Sequence, residues 1–192
     1  GWRGGSLPRA LGWDQVAGLL RCCDQSAVTG RRDLAVLMLL ARLGLRAAEV
    51  AALELGDIDW RAGELVVRGK GRREERLPLP ADVGAAIAGY LCGGRPGGPC
   101  RSVFLSVRAP CGGVSAAAVK AIVRYACLRA GLPAAGAHRL RHAAATQMLQ
   151  AGSPLAEVGQ VLRHRAASTT AIYAKVDHGA LRELARPWPV AP

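Results

Sequence analysis

The run LAVLMLLA (Leu34 to Ala41) is the longest apolar stretch in the chain. At eight residues it is too short to span a bilayer, so it reads as a buried helix segment. The surrounding pattern is helical. A loose Gly/Pro/Arg opening ends near Leu7-Pro8, and Trp13 to Arg21 forms a first helix. A second runs from about Arg32 to Leu43 and is interrupted by Gly44. LRAAEVAAL then starts a third, with Leu45, Ala48, Ala52 and Leu55 expected on one apolar face.

The texture changes between Asp57 and Pro80. DIDWRAGELVVRGKGRREERLPLP mixes β-branched residues with turn formers. Short strands are expected at Ile58 to Trp60, Glu64 to Arg68 and Glu75 to Leu79, with GKGRRE as a polar turn and Lys70 at or near its tip. Helices resume at Asp82 to Leu91. CGGRPGGPC (Cys92 to Cys100) reads as a flexible loop and Val103 to Ser106 as a short extended piece. Ser115 is an N-cap candidate for a helix to about Ala130. Further helices are expected at His138 to Ala151, Ser153 to Leu162, Ser168 to Ala174 and Gly179 to Ala185. The class is α+β and mainly α-helical, with a small three-stranded antiparallel sheet.

Composition narrows the function. An apolar fraction of 51% argues against disorder. The 26 lysines and arginines against 14 acids leave +12, which points to an acidic partner, most simply nucleic acid. The six cysteines (Cys22, Cys23, Cys92, Cys100, Cys111 and Cys127) contain no Cys-x-x-Cys pair, so a structural zinc site has little support. They read as reduced thiols of a cytosolic protein.

The candidate chemistry is scattered. HRLRH (His138 to His142) puts His138 and Arg141 on one helical face at i and i+3. His138 and His142 at i and i+4 resemble half a metal site, but Arg139 and Arg141 repel a cation and the glutamate of His-Glu-x-x-His is missing. His164 and Tyr173 follow downstream. Arg46 opens the third helix, and Lys70 sits between two glycines that free the backbone to approach a ligand. Taken singly, each of these is more often a surface or core residue than a functional one; their joint order and spacing overturn that.

The set Arg46, Lys70, His138-x-x-Arg141, His164 and Tyr173 resembles the tyrosine recombinase (phage integrase) family. The motifs that carry the likeness are GLRAAEVAAL, HRLRHAAAT and LRHRAASTTAIYAKV, supported by GKGRREERLPLP. One departure stands out: Leu162-Arg163-His164 replaces the family's usual Leu-Gly-His. The resemblance implies a catalytic-domain fold at 11–178, a linker remnant at 1–10 and a C-terminal helix and tail at 179–192. It implies a preceding helical DNA-binding domain outside this chain, double-stranded DNA as partner, a tetramer on DNA with other recombinase subunits, no cofactor and no metal.

It also implies roles. Tyr173 would be the nucleophile, Arg46 and Arg141 the phosphate ligands, Lys70 the general acid, and His138 and His164 their assistants. Glu49 would orient Arg46 or Lys70, or be a plain surface acid. Arg72, Arg73, Arg139, Arg163 and Arg165 are candidates for DNA backbone contacts. Two rival readings remain: a non-catalytic DNA-binding relative, and a type IB topoisomerase-like enzyme. The expected location is the cytoplasm of a bacterium, with a phage or mobile element as a further source.

Overall fold

The computed structural model describes residues 11–69, 74–107 and 112–163. These residues form seven α-helices and three short strands. The helices are α1 (Trp13–Arg21), α2 (Val28–Arg42), α3 (Ala47–Ala51), α4 (Ala81–Gly93), α5 (Ala116–Arg129), α6 (Ala137–Gln150) and α7 (Leu155–Val161). The strands are β1 (Ile58–Asp59), β2 (Glu64–Arg68) and β3 (Glu74–Pro78). The architecture is mainly helical with a small three-stranded antiparallel sheet, as the sequence pattern indicates.

Helix α2 is the axis of the core. Residues 35–41 are all buried, and the helix packs against α4, α6, α1 and α5. An apolar helix surrounded on all sides needs no polar face, which is why its sequence reads as a continuous apolar run. The helix ends at Gly44, whose φ of +58° is a left-handed conformation that costs glycine little. The chain turns back there, and the Leu45 N–H returns to the Leu39 carbonyl at 3.3 Å.

Helix α3 is shorter than its sequence suggests, and its buried face is different. Ala48 and Ala52 are exposed, whereas Ala47, Val50 and Leu53 face the core. Apolar alanines satisfy either side of a short helix, so periodicity alone did not choose between them. Instead, the inner face carries Glu49, a buried acid.

The sheet runs in the order β1-β2-β3, with Ile58 opposite Leu65 and Leu65 opposite Leu77. Ile58, Leu65, Val67 and Leu77 line its buried face. The period-2 alternation leaves charged residues outside, where Arg76 pairs with Glu64 at 3.0 Å, while Arg68 reaches the buried Asp57 at 2.6 Å. The register Arg68↔Glu74 leaves the segment containing Lys70 between the two strands.

The Cys92 to Cys100 segment is not loose. Arg95 donates to the carbonyls of Cys100, Ser102 and Val103 and fastens the loop to the chain that follows. Tyr90 stacks on Phe104 with centroids 5.7 Å apart, and its hydroxyl accepts the Leu105 N–H. Ser115 caps α5 as expected, its hydroxyl accepting the Ala118 N–H at 3.1 Å. The expected helices at 168–174 and 179–185 lie outside the described residues.

Candidate DNA-cleavage site

Arg46, His138 and Arg141 come from α3 and α6, yet all three line one cleft of about 290 Å³. Arg46 is the N-cap residue of α3, where the extended backbone turns into the helix. His138 and Arg141 lie one turn apart on α6 and share a face. The cleft is completed by Leu45, Ala47, Gly136, Ala137 and Lys120. Lys120 was not singled out in the sequence. Its only signal there is a single cation within the apolar stretch AAAVKAIV at the start of α5.

Both guanidinium groups converge on the end of α7. Arg141 donates through one nitrogen to the Gly44 carbonyl and through the other to the Leu162 carbonyl. Arg46 donates to the carbonyl of the next residue, Arg163, at 3.2 Å. Arginines 95 positions apart in sequence thus meet on consecutive carbonyls, immediately before His164. Helix C-termini concentrate negative potential, which is what draws cations there.

Glu49 organises Arg46. It is only 5% exposed, and its Oε1 accepts the Arg46 guanidinium at 2.6 Å. Its Oε2 accepts the Arg46 backbone N–H at 2.8 Å and the Arg163 guanidinium at 2.7 Å. Burial alone would raise this carboxyl; the Arg46 N–H, the Arg163 charge and the Arg46 side chain outweigh it and hold it below the usual carboxylate value.

His138 is held below the ordinary imidazole value, first by its partial burial and then by the charges of Arg141 and Arg46. It therefore stays neutral near pH 7. Its ring meets that of His142 edge-on, with centroids 4.1 Å apart.

Arg163 differs most from expectation. Proposed from sequence as a DNA backbone contact on a helix, it lies just past the end of α7 with φ of +54° and a side chain only 5% exposed. Its guanidinium is taken up by carboxylates, not presented to solvent. Arg139 is half-buried on α6. Lys70, Arg72, Arg73, His164, Arg165 and Tyr173 lie outside the described residues. Among the described residues, no three His, Cys, Asp or Glu side chains gather as a metal site would require.

Residues 9–179 match the family model described as the phage integrase family. The chain belongs to that family. It is 52% identical over 191 residues to a putative integrase/recombinase, y4rA, of Sinorhizobium fredii, a match covering 98% of this chain and 46% of that protein. It is 34% identical to the tyrosine recombinase XerD of Mycobacterium tuberculosis, over 93% of this chain and 60% of that protein. The chain therefore spans about half to three fifths of these relatives. Among solved structures, XerH recombinase bound to its difH substrate in a pre-cleavage complex matches with a TM-score of 0.78 and 26% identity, over 96% of this chain and 55% of that one. Within this integrase-family chain, among the described residues, no helix is long and apolar enough to cross a membrane.

Proposed function

We propose that this integrase-family domain cuts and rejoins double-stranded DNA at specific sites through a 3′-phosphotyrosyl intermediate. The observation that carries this reading is the convergence of Arg46, His138 and Arg141 on one cleft, in a family whose named relatives are integrases and tyrosine recombinases.

The chemistry asks for these side chains. Attack on a phosphodiester builds charge on the equatorial oxygens, and two guanidinium forks hold those oxygens while staying charged at any working pH. Each donor aimed at developing charge is worth roughly 10²–10³ in rate by analogy with oxyanion holes. The Tyr173 hydroxyl attacks phosphorus, its O–P bond forms and the bond to the 5′-oxygen breaks. The neutral His138 imidazole accepts the phenolic proton, and Lys70 supplies one to the departing 5′-oxygen. Positive surroundings favour the phenolate of a group whose ordinary pKa is about 10. His164 donates to a non-bridging oxygen. A 5′-hydroxyl from another strand then attacks the phosphotyrosine in reverse, so the bond energy is conserved without a nucleotide cofactor.

Lys120, which lines the cleft, together with Arg139, Arg72, Arg73 and Arg165, contacts the DNA backbone in this reading. The partners are duplex DNA and further recombinase subunits, assembled as a tetramer, in a bacterial cytoplasm. The domain division is 11–178 for catalysis and 179–192 for a C-terminal helix and tail.

The test is covalent capture on a pool of nicked duplexes with a randomised core. The wild-type chain is expected to yield an adduct that survives denaturing electrophoresis and maps to Tyr173. Tyr173→Phe is expected to bind the captured duplexes as wild type does and to yield no adduct. Binding without any wild-type adduct would leave a non-catalytic DNA-binding relative. An adduct on the exposed Tyr125 would refute the site assignment. Relaxation of supercoiled plasmid by single protomers would favour a topoisomerase.

A further inference from the structure

Arg163 occupies a position where the backbone favours glycine. Its φ of +54° is left-handed, and only glycine adopts that conformation at little cost. Strain of this kind persists when the contacts around it outweigh it, and it concentrates at functional sites.

The contacts are specific. Nη2 of Arg163 meets Glu49 Oε2 at 2.7 Å, and Nη1 donates to the Val161 carbonyl at 3.1 Å. Nε is buried without a hydrogen-bond acceptor among the described residues and faces Glu75 Oε2 at 3.8 Å. Meanwhile the backbone carbonyl of Arg163 holds the Arg46 guanidinium. A glycine here would keep that carbonyl and lose both carboxylate contacts. Glu49 is also the acid that grips Arg46, and Glu75 belongs to β3, the strand that follows the Lys70 segment. One side chain thus connects three parts of the site: the start of α3, the end of α7 next to His164, and the β2–β3 hairpin.

We propose that Arg163 is a positioning residue that shares Glu49 with Arg46 and ties the β2–β3 hairpin to the phosphate-binding arginines through Glu75. The buried Glu49 carboxylate needs neutralising. With Arg163 present, Arg46 does not carry that duty alone, and its contact with Glu49 can be exchanged for a DNA phosphate while Arg163 keeps the carboxylate neutralised. Without Arg163, the neutralising of Glu49 falls to Arg46 and the hairpin loses its link to the cleft. The role rests on the strand-cleavage reading above.

The experiment compares wild type, Arg163→Gly, Arg163→Lys, Glu75→Gln and the Arg163→Gly/Glu75→Gln double variant. Single-turnover adduct formation and Kd are measured on the nicked duplex captured above. Arg163→Gly is expected to slow adduct formation by about 10-fold to 100-fold, as small misplacements of catalytic groups do. Its Kd should stay within about twofold, because affinity is spread over many phosphates. Arg163→Lys should recover part of the rate. Glu75→Gln should slow the reaction, and the double variant should be no slower than Arg163→Gly. Wild-type rates in Arg163→Gly, or effects of the two substitutions that multiply, would overturn the proposal.

Should Arg163→Gly fail to fold, Glu75→Gln decides alone. Its carboxylate is 45% exposed, and a wild-type rate there overturns the link to the hairpin. A wild type that binds but forms no adduct refutes strand cleavage instead. The positioning role is then judged by hydrogen exchange, and unchanged protection of β3 in Arg163→Gly would overturn it.

Discussion

The buried Glu49 carboxylate carries three hydrogen bonds from two arginines on its two oxygens. Removing one partner of a buried ion pair leaves an uncompensated charge. Glu49→Gln is therefore expected to destabilise the domain by about 3 kcal/mol at pH 7. The sign with pH follows from the depressed folded pKa: the stabilisation is complete above the ordinary value of 4.5 and is lost as pH falls through the lower folded value. Urea denaturation should show the gap between wild type and Glu49→Gln narrowing in acid. His138 makes a second prediction at this scale. In the proposed reaction its neutral form is the proton acceptor, and burial together with Arg141 and Arg46 disfavours the charged form. The adduct-forming rate should be level at neutrality and fall on the acid side with a midpoint below 6.5, and His138→Gln should abolish that limb.

At the scale of elements, the junction between α2 and α3 aims the site. Gly44 turns the chain so that its carbonyl receives Arg141 and Arg46 begins α3. A Cβ at Gly44 would lie 2.4 Å from Leu162 Cδ2 as well as demanding a left-handed alanine. Leu162 is itself buried beside Ala145 and Val158, and its carbonyl also accepts from Arg141. Gly44→Ala is expected to cost about 2 kcal/mol from backbone conformation and overpacking together. Because the Gly44 and Leu162 carbonyls that hold Arg141 would be displaced, it should lower cleavage further than a stability-matched core variant such as Ile87→Val. Thermal melting and adduct assays on the two variants check this. Most elements were legible from pattern: α1, β2 and the Ser115-capped α5 follow their sequence signals closely. The face of α3 was not, because five residues of mostly alanine give periodicity little to act on.

For the whole molecule, the surplus of +12 implies that the proposed affinity for DNA is largely counterion release. Binding should weaken by about a thousandfold between 50 and 200 mM salt if six or more phosphates are contacted. Lys120→Ala should lower the slope of log Kd against log salt by about one, and do so on any duplex sequence. Titration by fluorescence anisotropy at several salt concentrations measures both. A slope unchanged by Lys120→Ala would remove that residue from the DNA-facing surface.

Spacing, caps and hydrophobic period, which are properties of neighbouring residues, were sufficient for the helical class with its small sheet. Arg46, His138 and Arg141 were joined as one set by the resemblance of their motifs to the family, a likeness that spans distant parts of the chain. The tertiary structure alone decided that Glu49 is a buried counter-ion, that Lys120 lines the cleft and that Arg163 faces inward. Each of these depends on elements far apart in the chain, and burial of a charge is set by what packs over it, information that no short stretch of sequence contains.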